Sequence, residues 1–313
     1  MKSIVLIVPY IGKWPFWFDA YLLSIAKNPT INWVFITDCK VPDEYPKNIY
    51  FIKITQQELN TKVDSFFEIS IPLTPRKICD LRPAFGDLFS DYIEGYDFWG
   101  FCDLDIIWGN IRSFLTKDDL ENNDIISSRK HNTSGHFTIF KNDKKINSLY
   151  KSIPEFKLKL AKAKLQRIDE DGLTEFLWQK MNLPTDNFFN IKWDTILCNQ
   201  ENGRDSHQEY YLNRWLWRDG KMINTQTQEE VMYLHFINWK RTMKYSEIIY
   251  SDKPQQFYIS YSGMHYNLHS KFKHCYNNIS NVFNGYYINE KRRYRKNKIK
   301  SLIKRVKRKL KFN

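Results

Sequence analysis

The 313-residue chain reads as an α/β protein, a mixed and mostly parallel sheet flanked by helices, followed by a basic amphipathic helix at the carboxyl end. Three observations predict this. Short apolar runs of strand length alternate with helix-forming stretches, the pattern of strand-helix-strand units. One such run, Tyr96 to Gly109, is almost wholly apolar yet contains Asp103 and Asp105, as a buried parallel strand does where its carboxyl end opens into a site. Residues 291–313 hold thirteen Lys and Arg and no acid, with Ile299, Leu302, Ile303, Val306 and Leu310 at steps of three or four.

Taken in order, Lys2 to Tyr10 is an opening buried strand, and a Gly-Lys-Trp-Pro turn leads to a helix over Trp17 to Ala26. Asn32 to Thr37 and Ile49 to Ile54 are the next strands, and a helix begins over Gln56 to Val63. Arg76 to Phe89 starts as a turn and continues as an amphipathic helix to about Ile93. Beyond the acidic strand, Ile125 to Ser128 and Ser134 to Phe140 are short strands, the second entered through Gly135, which permits close backbone approach. His136 beside it reads as a buried, hydrogen-bonded histidine. Lys157 to Arg167 is basic and helix-forming, Asp169-Glu170-Asp171 caps a following helix, and Tyr233 to His235 ends a late strand.

Composition bounds the function. With 42% hydrophobic and 16% aromatic residues, the chain can bury a core as one large domain or two. No apolar run approaches the roughly 18–20 residues that span a bilayer, and Pro9 cuts the first too early for a signal-peptide core. Cys39, Cys79, Cys102, Cys198 and Cys275 are scattered without a CxxC pair, which argues against a disulfide framework or zinc site and places the protein in the cytoplasm. The net charge of +13 belongs to one segment, because 48 Lys and Arg less the 13 of residues 291–313 equals the 35 Asp and Glu. The body is neutral, so no nucleic-acid partner is expected, and the basic helix suits an anionic membrane surface at the inner face of the cell membrane.

The chemistry-bearing residues are few. In an extended segment residues i and i+2 face one side, so Asp103 and Asp105, with Leu104 between them, converge on one ligand. Two carboxylates so close repel unless a cation lies between them, and a divalent metal with oxygen ligands answers that need. His235 offers a third ligand and Lys240 a cation for a diphosphate. Ligands in parallel sheets bind at the carboxyl ends of strands, which puts Pro9, Tyr10 and Asp38 in the same crevice. Lys77, Asp80 and Arg82 lie one helix before the acidic strand and suit phosphate and nucleotide contacts. The Trp-, Asn- and Tyr-rich stretch 183–218 can form a wall on which sugar rings stack, or be core.

With these residues in this order, the chain over about residues 1–245 resembles the GT-A glycosyltransferases, and Asp80 to Gly109 is similar to bacterial surface-polysaccharide (capsule or lipopolysaccharide) transferases. The resemblance implies a Rossmann-like fold, with a nucleotide-sugar half over about 1–140 and an acceptor half over about 141–245. Residues 246–290 would then be an extension and 291–313 a membrane-associating tail. It further implies that Asp103 and Asp105 hold Mn²⁺ or Mg²⁺ on the diphosphate of a UDP-hexose, that His235 completes the metal shell, and that Lys240 neutralises phosphate. The expected activity is hexosyl transfer to a glycan or lipid-linked acceptor. Glu170 stands where that group usually has Gln, so Asp171 or Glu170 would be the base if the reaction inverts, and the stereochemistry stays open. A metal-dependent nucleotidyltransferase or phosphatase, or a nucleic-acid-binding protein, are the rival classes.

Overall fold

Alternation of apolar side chains divides the principal sheet between two cores. In strand β1 (Ile4–Tyr10), Ile4, Leu6 and Val8 enter one core, and Val5 and Ile7 enter the other. The same alternation holds in β2 (Ile31–Thr37), where Trp33 and Phe35 oppose Val34 and Ile36. A strand apolar on both faces is buried on both, and burying a side chain such as Phe35 contributes on the order of 1.5–3 kcal/mol. The computed structural model describes residues 1–130, 132–181, 189–193, 195–199, 211–251, 253 and 255–311.

The further strands are β3 (Ile49–Lys53), β4 (Phe98–Cys102), β5 (Ile106–Trp108), β6 (Ile125–Ser127), β7 (Phe137–Lys141) and β8 (Ile191–Lys192). The principal sheet has the order β3-β2-β1-β4-β7-β6-β8. Strands β3, β2, β1 and β4 are parallel, β7 runs antiparallel to β4 and β6, and β8 is parallel to β6. This is the mixed, mostly parallel sheet with flanking helices that the alternation predicts. The Phe18–Ala26 helix packs in the first core. The Gln56–Phe67 helix begins with a capping box in which Thr55 and Glu58 satisfy each other's backbone N–H groups, and its Leu59, Val63 and Phe67 enter the second core.

A second sheet is built from β9 (Trp215–Arg218), β10 (Lys221–Asn224), β11 (Glu230–Val231), β13 (Tyr245–Ser246), β14 (Gln256–Ser260) and β15 (Gly263–His265), in the order β11-β10-β9-β14-β15-β13. It therefore draws on both sides of residue 245. Strand β12 (Tyr233–His235) pairs antiparallel with β5, and this two-stranded ribbon joins the region of the second sheet to the end of β4.

Two expectations are corrected, and of the two alternatives for the aromatic stretch the described residues favour core. Arg76 to Ile93 is not one amphipathic helix: a 3₁₀ stretch over Lys77–Ala84 precedes short turns at Phe85–Leu88 and Ser90–Tyr92. Pro83 cannot donate to a helical ladder, and Lys77, Asp80 and Arg82 turn inward instead of forming a solvated face. The basic helix ends at Leu160, because the Asp80 carboxylate captures the backbone N–H groups of Gln166 and Ile168 and pins that chain. The aromatic stretch 183–218 lies partly outside the described residues, and its described Trp193, Trp215 and Trp217 are buried in the cores rather than open to a sugar.

Candidate metal centre

The acidic pair sits at the carboxyl end of β4, but Asp103-Leu104-Asp105 is a bend between β4 and β5 and not continuous strand. The two carboxylates converge through that bend, and strand alternation is not the cause. The bend is held from three sides. The Asp103 N–H donates to the His136 carbonyl at 3.2 Å, and Trp17 Nε1 donates to the Leu104 carbonyl at 2.8 Å. The Phe236 N–H donates to the Asp105 carbonyl at 3.0 Å.

His235 comes from β12, opposite Ile106 in the ribbon, and the Asn199 side chain accepts from its backbone N–H at 2.8 Å. Its Nε2 lies 3.5 Å from Asp105 Oδ2 and 3.9 Å from Asp103 Oδ2. One ligand atom from each of the three residues lies within 4.8 Å of the others, and the 3.5 and 3.9 Å separations from His235 are ones that pairs of ligand bonds of about 2.0–2.2 Å to a shared ion can span. Hard carboxylate oxygens with one imidazole nitrogen fit Mn²⁺ or Mg²⁺.

Lys240 Nζ stands 2.8 Å from Asp105 Oδ2, with its side chain 39% exposed, at the rim of the cluster. Burial pushes the Asp105 carboxyl up, but His235 and Lys240 outweigh it and hold it well below the usual carboxylate range. His136, read as a buried histidine, is one: its Nδ1 is 2.7 Å from the Tyr233 hydroxyl, which in turn bonds Ser128. Its ring lies 4.2 Å from that of His235, so it forms one wall of the site. Burial lowers its pKa well below the ordinary histidine value and keeps it neutral.

Arg82 is the other organising group. Its guanidinium donates to Asp103 Oδ1, to Asp169 Oδ2 at 3.0 Å and to the Gly135 carbonyl, and lies 5.2 Å over the Phe101 ring. It therefore occupies one Asp103 oxygen and leaves Oδ2 toward His235. Three of its five N–H donors go to protein acceptors and the side chain is nearly buried, so Arg82 acts as a brace of the site. Burial pushes the Asp169 carboxyl up to about 7, against Arg82. Gly135 is required here: a Cβ would come 2.8 Å from Asp169 Oδ2 and 3.2 Å from Arg82 Nη1. Gly135→Ala is expected to destabilise the protein by about 1–3 kcal/mol, measured by urea unfolding, with loss of metal affinity.

Other expected site residues are placed as follows. Lys77 does not face a phosphate: it is 1% exposed, and its ammonium donates to Asp80 at 3.0 Å and to the Lys159 carbonyl. Asp80, fully buried, holds Lys77 and the backbone at 166–168. Both act as scaffold for the acidic triplet, because their charges are already satisfied inside. Glu170 is paired with Arg129 and Arg167, which outweigh burial and keep its carboxyl below the usual range. Asp171 is the more open of the two proposed bases, with a 33% exposed side chain 3.6 Å from Arg167 Nε. Pro9 and Tyr10 end β1, and Asp38 follows β2. The Tyr10 ring stacks on Trp14 at 5.3 Å, and Asp38 Oδ1 accepts from the Gly12 N–H at 2.7 Å. Burial, Cys39 and Asp105 all push the Tyr10 phenol up. Beside Trp14 opens a cleft of about 310 Å³ lined by Phe16, Lys40 and Asp43.

Asp169, Arg129, Tyr233 and Ser128 were not among the site residues read from the sequence. Asp169 had a signal in the acidic triplet, and the others had none, since they reach the site through irregular backbone or across the ribbon.

A family described as being of unknown function (DUF6625) matches residues 6–268. No curated protein matches the chain. Among solved structures, the galactosyltransferase LgtC in complex with donor and acceptor sugar analogs is 13% identical over 53% of this chain and 72% of its own, with a TM-score of 0.32. The apo-form glycosyltransferase GlyE of Streptococcus pneumoniae TIGR4 is 15% identical over 62% of this chain, with a TM-score of 0.34. This chain spans only 45% of the length of GlyE.

Proposed function

We infer that this chain, which belongs to the DUF6625 family, is a metal-dependent glycosyltransferase of the GT-A kind. It moves a hexosyl group from a UDP-sugar, UDP-galactose or similar, to a lipid-linked or growing surface-polysaccharide acceptor. The observation that carries the reading is the meeting of Asp103, Asp105 and His235 where β4 leaves a mostly parallel sheet, the place at which such sheets bind ligands.

Asp103, Asp105 and His235 would hold Mn²⁺ or Mg²⁺, which supplies positive charge to the diphosphate as it becomes a leaving group. Lys240, on the rim, exchanges its contact with Asp105 for a diphosphate oxygen. Tyr10 and Trp14, with the cleft beside Trp14, offer stacked aromatic surface to the nucleobase, with Pro9 preceding Tyr10 in β1 and Asp38 holding the Gly12 N–H of the following turn. Leu104, buried in the bend, fixes the spacing of the two acids. As the bond from the anomeric carbon to the diphosphate breaks and that to the acceptor oxygen forms, Asp171 accepts the hydroxyl proton if the reaction inverts. Glu170, committed to two arginines, is the weaker base. Asp171→Asn is expected to lower kcat about 10²–10⁴-fold, with Glu170→Gln smaller, and NMR of the product anomer reads the stereochemistry. The 291–313 segment holds the enzyme at an anionic membrane face, near a lipid-linked acceptor.

Release of UDP from a panel of UDP-hexoses in Mn²⁺ tests the reading. Turnover is expected with one of them and none in EDTA. Turnover of nucleoside triphosphates instead, or full activity in EDTA, would overturn it.

A further inference from the structure

The Lys271–Phe283 helix is amphipathic the wrong way round for a helix packed on a protein. Phe272, Tyr276, Ile279 and Phe283 fall within about a sixth of its circumference, at 3.6 residues per turn, and are 82%, 66%, 51% and 86% exposed. The opposite face is polar and half-buried: His274 packs its ring 4.8 Å from that of Tyr211, with Asn277, Asn278 and Asn281 on the same side. No residue of the helix is buried. Ser270 caps its start, and Gly285, at a φ of +68°, turns the chain into the Tyr286–Lys311 helix. Among the described residues no helix is long and apolar enough to cross a membrane.

From the polar inner face and the apolar outer one, we propose that the Lys271–Phe283 helix is a membrane-inserting element, its outward aromatic stripe entering the acyl boundary of an anionic lipid surface. The charge around it selects that occupant. Residues 253–289 contain no acid, Lys271 and Lys273 flank Phe272, and after Glu290 come the thirteen cations of residues 291–313. A water-facing aromatic stripe beside such charge is complementary to anionic headgroups over an apolar interior. The inference rests on the membrane placement proposed for the tail and adds a second apolar surface, aromatic and more exposed, to the tail's own Ile299, Leu302, Ile303 and Val306. Charge alone gives binding that salt screens, whereas charge with insertion leaves a salt-resistant part.

The test is cosedimentation of the full-length protein with phosphatidylglycerol/phosphatidylcholine vesicles, at low salt and in about 1 M NaCl, where the Debye length is about 3 Å. The native protein is expected to keep part of its binding at high salt. Phe272→Ser/Ile279→Ser/Phe283→Ser should lose most of that part, leaving what the tail's own apolar residues supply, and weaken low-salt binding at least about tenfold. The three positions are exposed, so its thermal transition and UDP-sugar turnover in vesicle-free solution should be unchanged. Lys298→Glu/Lys300→Glu/Arg305→Glu should instead abolish the preference for phosphatidylglycerol while sparing the salt-resistant part. Native binding that is wholly salt-sensitive, or a triple-serine variant indistinguishable from native, would overturn the insertion and leave the tail reading standing. No vesicle binding at all would overturn both. If the serine variant dissociates a dimer and leaves vesicle binding unchanged, the stripe is a contact between copies and the proposal fails.

Discussion

Asp105→Asn is expected to lower hexosyl-transfer turnover at least about 10²–10³-fold and to abolish Mn²⁺ binding measured by isothermal titration calorimetry. The substitution keeps the shape of the side chain and removes the charge that faces both His235 Nε2 and Lys240 Nζ. Two cationic or metal-seeking groups then meet a neutral amide. Because Lys240 is well exposed, solvent offsets much of its lost partner, and the stability cost should be only about 1–2 kcal/mol, far below the effect on turnover. Asp103→Asn should act in the same direction. An Asp105→Asn protein that binds Mn²⁺ and turns over like native would remove the basis for a metal centre.

Arg82→Met should produce the largest loss of stability, about 3–5 kcal/mol by urea unfolding, because it leaves two carboxylates without their shared cation in a nearly buried site. The loss should depend on pH, with a sign that follows from Asp169. Its carboxyl, pushed up to about 7 by burial even with Arg82 present, rises further once the guanidinium is gone. The folded variant then holds a proton that the unfolded chain, with Asp near 3.9, releases. Stability of the variant therefore falls as pH rises from about 4, and the deficit should be smaller at about pH 5 than at about pH 8. Adding Asp169→Asn should recover part of it, and equal losses at both pH values would contradict the buried-pair account.

The sheet was legible because the strands that build it are apolar on both faces: Ile4 to Val8, Trp33 to Ile36 and Phe98 to Cys102 can only be interior. The cluster of Asp103, Asp105 and His235 stood out for the opposite reason, being polar groups in runs where polarity costs free energy. What misled was the charge between residues 76 and 93. Lys77, Asp80 and Arg82 read as phosphate and nucleotide contacts, and nothing local reveals that Asp80 reaches the backbone of residues 166–168 or that Arg82 reaches Asp169. Side chains that satisfy irregular backbone at long range leave no period in the sequence. The Tyr- and Asn-rich stretch before the tail carried no reading from sequence, and it is the placement of His274 against Tyr211 that tells which face of the Lys271–Phe283 helix looks outward.

The acids and the histidine that faces them come from strands far apart in sequence, joined by the short ribbon of β5 and β12. Synthesis from the amino terminus therefore yields a chain that has its carboxylates long before it has anything to set against them. Until residues 233–240 arrive and zip onto the earlier strand, Asp105 has neither imidazole nor ammonium beside it, so the cluster closes late, with only β13, β14 and β15 of the second sheet still to follow.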